Sequence, residues 1–541
     1  MRINLLLMAI LLSMAACSRK EEAALLVINA RVCTIDSAFT TAEAFAVKEG
    51  RFIAVGSNEE ILNAYRSDSI VDAGGAFIYP GFIDAHCHFS HYGLSLMNAD
   101  LRGTRSFGEV LSRLQSHDST HHPEMIRGRG WDQNDWAIKE FPVNNELNKM
   151  FPDRPVILTR IDGHAALVND YLLQLAGITA ETKVDGGRVI CANGRPTGGL
   201  VDNAILLADS LLPEENEAGL RKAFLAAQDA CFALGLTTVA DAGLDHRQID
   251  LIARMQKKGE LSMRVYAMLN PNQKNYEEYL YKGIFSTESL NVRSVKLYAD
   301  GALGSRGACL LEPYSDEAGQ YGLIVEPEEK LKEICLRAYN YGYQVCTHAI
   351  GDSANRMMLR IYADILGGKN DLRWRIEHAQ LIHPDDFKYF AEYNIIPSVQ
   401  PTHATSDMGW AEDRVGKERI RFAYAYRKLQ EQNGWLAAGT DFPIELPDPL
   451  HTFFAAVFRT DHNMKPEGGW QAENALSRED ALRSMTIWAA RSCFEEGLKG
   501  SIEKGKLADF VILNVDLMEA KPSEILNSRV LMTYIGGMRV H

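Results

Sequence analysis

Three observations predict an α/β fold built on a (β/α)8 TIM-like barrel. Eight short apolar segments alternate with helical stretches, the chain is long enough to close them around one core, and metal-ligating side chains gather at the segments' carboxyl ends. The expected strands are Phe82 to His86, Thr237 to Asp241, Arg264 to Leu269, Val295 to Ala299, Gln344 to His348, Arg373 to His378, Ile395 to Gln400 and Leu436 to Asp441. At 541 residues with 46% hydrophobic content, the chain also has room for additions to a barrel.

Before the barrel, Leu25 to Ile28, Arg31 to Ile35, Ala44 to Lys48, Arg51 to Val55 and Ile70 to Asp72 alternate in the two-residue period of half-buried strands. The end of the chain repeats this texture from Ala508 to Leu513 and from Val530 to Val540. Isolated strands at either end would leave open edges, so segments 24–79 and 500–541 are expected to share a composite β-sandwich domain. The barrel domain is expected over 80–499. Within it, the first and second strands are separated by a stretch too long for an ordinary βα connection, so 90–236 is expected to be an inserted, lid-like subdomain.

The first residues read as an export signal. Arg2 precedes an apolar run from Ile3 to Leu12, and Ser13-Met14-Ala15-Ala16 leads into Cys17. This resembles the bacterial lipoprotein lipobox, which implies cleavage after residue 16, lipidation of Cys17 and a polar tether from Ser18 to Glu22. An ordinary secretory signal cut nearby is the other reading. Either way the protein is expected in the periplasm or cell envelope, attached to a membrane only through lipid, since the apolar run is short for a spanning helix. A net charge of -14 without a long basic run argues against a nucleic-acid surface. The eight cysteines beyond Cys17 show no C-x-x-C spacing and are read mainly as small buried hydrophobes.

His86 and His88 stand two apart on the first strand, so both imidazoles point to one face while Cys87 turns away. Alone, such a pair is weak evidence for a metal. Lys296, His348, His378 and Asp441, at or near the ends of the fourth, fifth, sixth and eighth strands, supply what the pair lacks. The stretches Gly81 to His88, Val295 to Arg306, Thr347 to Asp352, Ile376 to Gln380 and Gly439 to Asp441 together resemble the amidohydrolase superfamily. In particular they resemble amidohydrolase family 3, the branch containing N-substituted formamide deformylases.

The resemblance implies a metal-dependent hydrolase with two divalent ions, zinc foremost, manganese and iron being compatible with the same ligands. His86 and His88 would bind one ion, His348 and His378 the other, and Lys296, carboxylated on Nζ, would bridge them. A hydroxide between the ions would attack a carbonyl carbon, with Asp441 touching the first ion and acting as general base and then acid. A lysine paired with Asp300 or Glu377 in a one-metal site is the alternative for Lys296. The expected reaction is hydrolysis of an amide, N-acyl or N-formyl bond in a small molecule. An esterase or lactonase of the same superfamily, or a non-catalytic metal-binding lipoprotein, are the rivals. Trp131 as an aromatic wall, His164 from the insertion, Asp300, Arg306 and His403 are candidate substrate contacts. A homodimer is compatible with all of this.

Overall fold

The computed structural model describes residues 20–212 and 216–541, so the signal-like segment and Cys17 lie outside the described residues. Eight parallel strands run in sequence order around a nearly closed barrel. They are β1 (Phe82–Cys87), β2 (Leu236–Leu244), β3 (Arg264–Leu269), β4 (Leu290–Tyr298), β5 (Gln344–Ala349), β6 (Arg375–His378), β7 (Ile396–Val399) and β8 (Ala437–Ala438). Every residue of β1, β3 and β5 is buried, as befits strands covered on both faces.

β8 is shorter than the six residues expected. A Cβ on Gly439 would fall 2.4 Å from the His86 backbone nitrogen, so here the chain passes too close to β1 for any other residue. Individual bonds then close the barrel in place of a ladder. The Asp441 amide donates to the His86 carbonyl and the His88 amide to the Phe442 carbonyl, both at 2.8 Å. Asp84 sutures the same seam, its carboxylate accepting from the Thr440 hydroxyl at 2.7 Å and from the amides of Thr440 and His86.

Strands from both ends of the chain lie in one sheet: Phe510–Leu513 pairs antiparallel with Phe77–Pro80, which pairs parallel with Arg31–Cys33. A second sheet holds Leu25–Ile28, Ala44–Lys48, Arg51–Gly56 and Ile70–Asp72. Phe45, Phe52, Ile78, Phe510 and Ile512 form a common core between them.

Between β1 and β2 the chain builds a separate six-stranded sheet with two hydrophobic clusters of its own. The Gly-rich stretch around Asn193-Gly194 forms the turn of an antiparallel hairpin, Gly187–Ala192 with Arg195–Asp202. The last helix before β2, Glu217–Ala233, packs instead on Phe89–Ser95 and β2. It belongs to the barrel's outer ring, so the stretch 90–236 contains that helix as well as the added sheet. Gly93 permits this contact, since a Cβ there would lie 2.2 Å from the Ala223 carbonyl.

Candidate metal centre and active-site cavity

The carboxyl ends of the strands bring His86, His88, Lys296, His348, His378 and Asp441 to the floor of one cavity. His86, buried beneath it, presents Nε2 to Lys296 and Asp441, and the other five line a space of about 540 Å³. Three of the turning positions that aim these side chains have left-handed backbone: His378 (φ 72°), Ala379 (φ 42°) and Asp441 (φ 62°). Such conformations are unfavourable for residues with a Cβ and are found where surrounding structure enforces them.

Each first-strand imidazole is fixed through its Nδ1. His86 Nδ1 lies 2.5 Å from Glu377 Oε2, and His88 Nδ1 lies 3.0 Å from the Ala242 carbonyl. With Nδ1 donating to these acceptors, both rings present a bare Nε2, at 3.4 Å (His86) and 3.2 Å (His88) from Asp441 Oδ1. Glu377 is in turn clamped by Arg375, whose Nε and Nη2 donate at 2.6 and 2.8 Å to its two oxygens. Burial alone would push the Glu377 carboxyl up. Arg375 and His86 outweigh it and hold the group well below the usual carboxylate range.

These residues fit a divalent cation. His86, His88 and Asp441 offer ligand atoms within 4.8 Å of one another, and so do His378, His403 and Asp441. Asp441 Oδ1 and His378 Nδ1 are buried without a hydrogen-bond partner, which is costly unless something else satisfies them. Burial holds His88, His348 and His378 below the ordinary imidazole value, favouring the neutral form that ligation needs. Imidazole and carboxylate donors suit zinc, manganese or iron.

The second group differs from expectation. His403, expected as a substrate contact, stands 3.3 Å from Asp441 Oδ2 and 3.2 Å from Glu445 Oε1. Burial opposes a charge on it, but these two carboxylates push its pKa up to about 10. His348 instead turns its Nε2 toward the Gly301 carbonyl at 3.4 Å, with its ring 4.5 Å from that of His378. Lys296 Nζ lies 3.3 Å from His86 Nε2, and burial lowers its pKa to about 8. Among the described residues it has no carboxylate within ion-pair distance, so neither Asp300 nor Glu377 pairs with it.

Three expected substrate contacts lie elsewhere. Trp131 is in the insertion's core, packed on Trp136 and Phe141 with its indole N–H donating to the Leu158 carbonyl, because its neighbours Gly130 and Asp132 line the cavity and the side chain between them points to the opposite face. Asp300 is fully buried and accepts from the amides of Cys309, Ile350 and Gly351 at 2.8–2.9 Å, which makes it the organiser of its loop. Arg306 pairs with Asp316 and Glu317 and is not among the cavity-lining residues.

The insertion forms the other wall. His164, as expected, lines the cavity, and Asp132, Arg160 and Asp162 join it. Arg160 is buried between Asp132 and Asp162, with its Nε donating to Gln133 at 2.8 Å. His164 Nδ1 lies 2.6 Å from Asp202 Oδ1. Burial disfavours the cation, but this hydrogen bond and the Asp202 charge outweigh it and raise the His164 pKa. Ala242 and Asp202 went unrecognised in the sequence, and Glu377, considered there only as a partner for Lys296, instead orients His86. Only Glu377, beside His378 in Ile376-Glu377-His378, gave a local hint.

Comparison with known proteins agrees with this architecture. A solved structure of an uncharacterized metal-dependent hydrolase from Pyrococcus horikoshii OT3 is 29% identical, with a TM-score of 0.75 over 92% of this chain and 99% of that one. The barrel, the His and Asp groups at its mouth and this likeness define a metal-dependent hydrolase. The amidohydrolase family model matches residues 69–541, and the chain belongs to that family. The protein LONG AFTER FAR-RED 3 of Arabidopsis thaliana is 33% identical, the alignment spanning 96% of this chain and 91% of the relative. The N-substituted formamide deformylase of Arthrobacter pascens is 25% identical over 95% and 97% respectively.

Proposed function

We propose that this hydrolase cleaves a C–N bond, in an amide, N-acyl or N-formyl group of a small molecule, with Asp441 carrying the proton. The observation that carries the reading is the Asp441 carboxylate. Its Oδ1 faces the bare Nε2 atoms of His86 and His88, its Oδ2 faces His403, and the residue lines the cavity. The choice of C–N over C–O rests on the full-length similarity to a formamide deformylase.

His86, His88 and Asp441 would hold one cation, and His348, His378 and Lys296 would complete a second position. A buried lysine that faces an imidazole nitrogen and lacks a carboxylate partner suits N-carboxylation, which turns it into an anionic donor. Bound cations acidify water and polarise a carbonyl. Asp441 takes the proton of the attacking water and delivers it to the leaving nitrogen, which leaves as the amine. His403 steadies Asp441 from the Oδ2 side. Matched amide and ester pairs with the same acyl group test the reading. Faster turnover of the amide members is expected, and cleavage of esters alone would refute it.

From the lipobox-like sequence before Cys17 we further propose that the enzyme sits in the cell envelope, tethered through that residue. Full-length protein made in a bacterial host is expected in the membrane fraction with palmitate label. Loss of both in Cys17→Ala would support the tether, and their persistence would contradict it.

A further inference from the structure

The insertion does more than roof the cavity. We infer that His164, aligned by Asp202, is a catalytic residue supplied by the insertion, contacting the carbonyl oxygen of the scissile group as negative charge builds on it. This rests on the hydrolytic reading above.

Position is the first argument. His164 lines the same cavity as Asp441, and its ring centroid is 5.0 Å from that of His348. Asp441 sits with His86, His88 and His403 instead. A substrate carbonyl between the two groups would therefore meet the proton carrier on one side and His164 on the other.

Construction is the second. The 2.6 Å contact with Asp202 occupies Nδ1, leaving Nε2 as the ring nitrogen available to the cavity. Glu377 under His86 is neutralised by Arg375, whereas Asp202 has no other cation within ion-pair distance among the described residues, so its charge is left to hold a second proton on the His164 ring, and that imidazolium offers Nε2–H to a developing oxyanion. The Asp162 carboxylate accepts the His164 amide at 3.0 Å, and the Asp202 amide donates to the His164 carbonyl at 3.0 Å, so backbone and ring are both held.

Asp202 itself is held in place at a cost. Its backbone has φ 49° and ψ −126°, an unfavourable conformation for a residue with a side chain. Its Oδ2 is buried without a partner. The carboxylate is seated against Gly301 and Gly307, in the loop after β4 and Lys296, and a Cβ on either glycine would lie 2.8–2.9 Å from a carboxylate oxygen. Strain, an unsatisfied oxygen and two glycines converge on one aspartate, and the side chain it addresses is His164. The dyad also joins insertion to barrel at the cavity, so chemistry and docking are coupled.

The test uses the metal-loaded enzyme and whichever amide or ester of the matched panel the wild type turns over best. His164→Gln is expected to lower kcat by about 10²-fold while KM stays within about twofold, the size seen when one oxyanion donor is removed. It should also weaken binding of methylphosphonate, a tetrahedral anion, by at least about tenfold in calorimetry, with metal content unchanged. Asp202→Ala should move both quantities the same way, and so should Asp202→Asn, which keeps an oxygen for Nδ1–H but not the charge that holds the second proton on the ring. Wild-type kcat in His164→Gln, a loss confined to KM, or a loss that tracks departing metal would overturn the inference. Should only esters be cleaved, the C–N reading fails and the comparison proceeds on esters. With no panel member cleaved, methylphosphonate affinity decides, and equal affinity in wild type and His164→Gln counts against the role.

Discussion

Glu377 shows how much of this site depends on a side chain that never reaches the cavity. It takes the Nδ1 side of His86, so the Nε2 lone pair is directed at Asp441, and Arg375 keeps it ionised. Glu377→Gln weakens that orientation and leaves the Arg375 guanidinium buried without a counter-charge. Metal affinity is expected to fall about 10–100-fold, measured by competition with a chelator, and stability by about 3–5 kcal/mol in denaturant unfolding. Unchanged metal affinity would show that His86 needs no such support. The ligand candidates were legible in the sequence because a barrel confines them to strand ends and because the His-x-His spacing has one geometric reading. Their partners were not. The Ala242 carbonyl under His88 carries no residue-type signal, Asp202 is remote in sequence from His164, and nothing local distinguishes a Trp131 in the insertion's core from one in a pocket wall.

Among the elements, buried acids on β1 and β2 tie these strands to neighbouring segments, Asp84 to the end of β8 and Asp241 to the helix after β1. Asp241, near the end of β2, accepts the Ser90 amide at 3.0 Å at the start of helix Phe89–Ser95, where an anion is favoured. Burial nevertheless dominates and pushes its carboxyl up to about 7. In the unfolded chain an aspartate titrates near ~3.9, so the folded state holds the extra proton between those values. Its stabilising contribution is complete below about pH 4 and disappears as pH rises through about 7. Asp241→Asn removes this titration, so its Tm should fall less steeply than wild type between pH 5 and 8, read by scanning calorimetry. Parallel Tm curves would contradict the assignment. Strand existence was readable throughout the barrel, since fully buried parallel strands appear as short apolar runs. Strand length was harder. β4 begins at Leu290, before its expected start, and β8 stops at Ala438, because register with neighbours and the close pass at Gly439 are properties of the closed barrel.

At the scale of the whole molecule, a barrel contributes the floor of the cavity and an insertion contributes a wall, with the chain's two ends sharing a sheet beside them. The insertion was visible as a gap between strands, and His164 within it as a candidate, whereas the way the two parts meet at Asp202, Gly301 and Gly307 required the fold. The proposed reaction makes one demand on this architecture: ligands from the floor must hold a cation while Asp441 moves a proton. That demand is tested most directly by stripping the purified protein with a chelator, restoring zinc or manganese, and following turnover of its best substrate beside Asp441→Asn. Activity is expected to vanish on stripping and to return with metal in the wild type, while the reloaded variant stays slower by about 10²–10⁴-fold. Undiminished turnover by the stripped enzyme, or full turnover by Asp441→Asn, would contradict it.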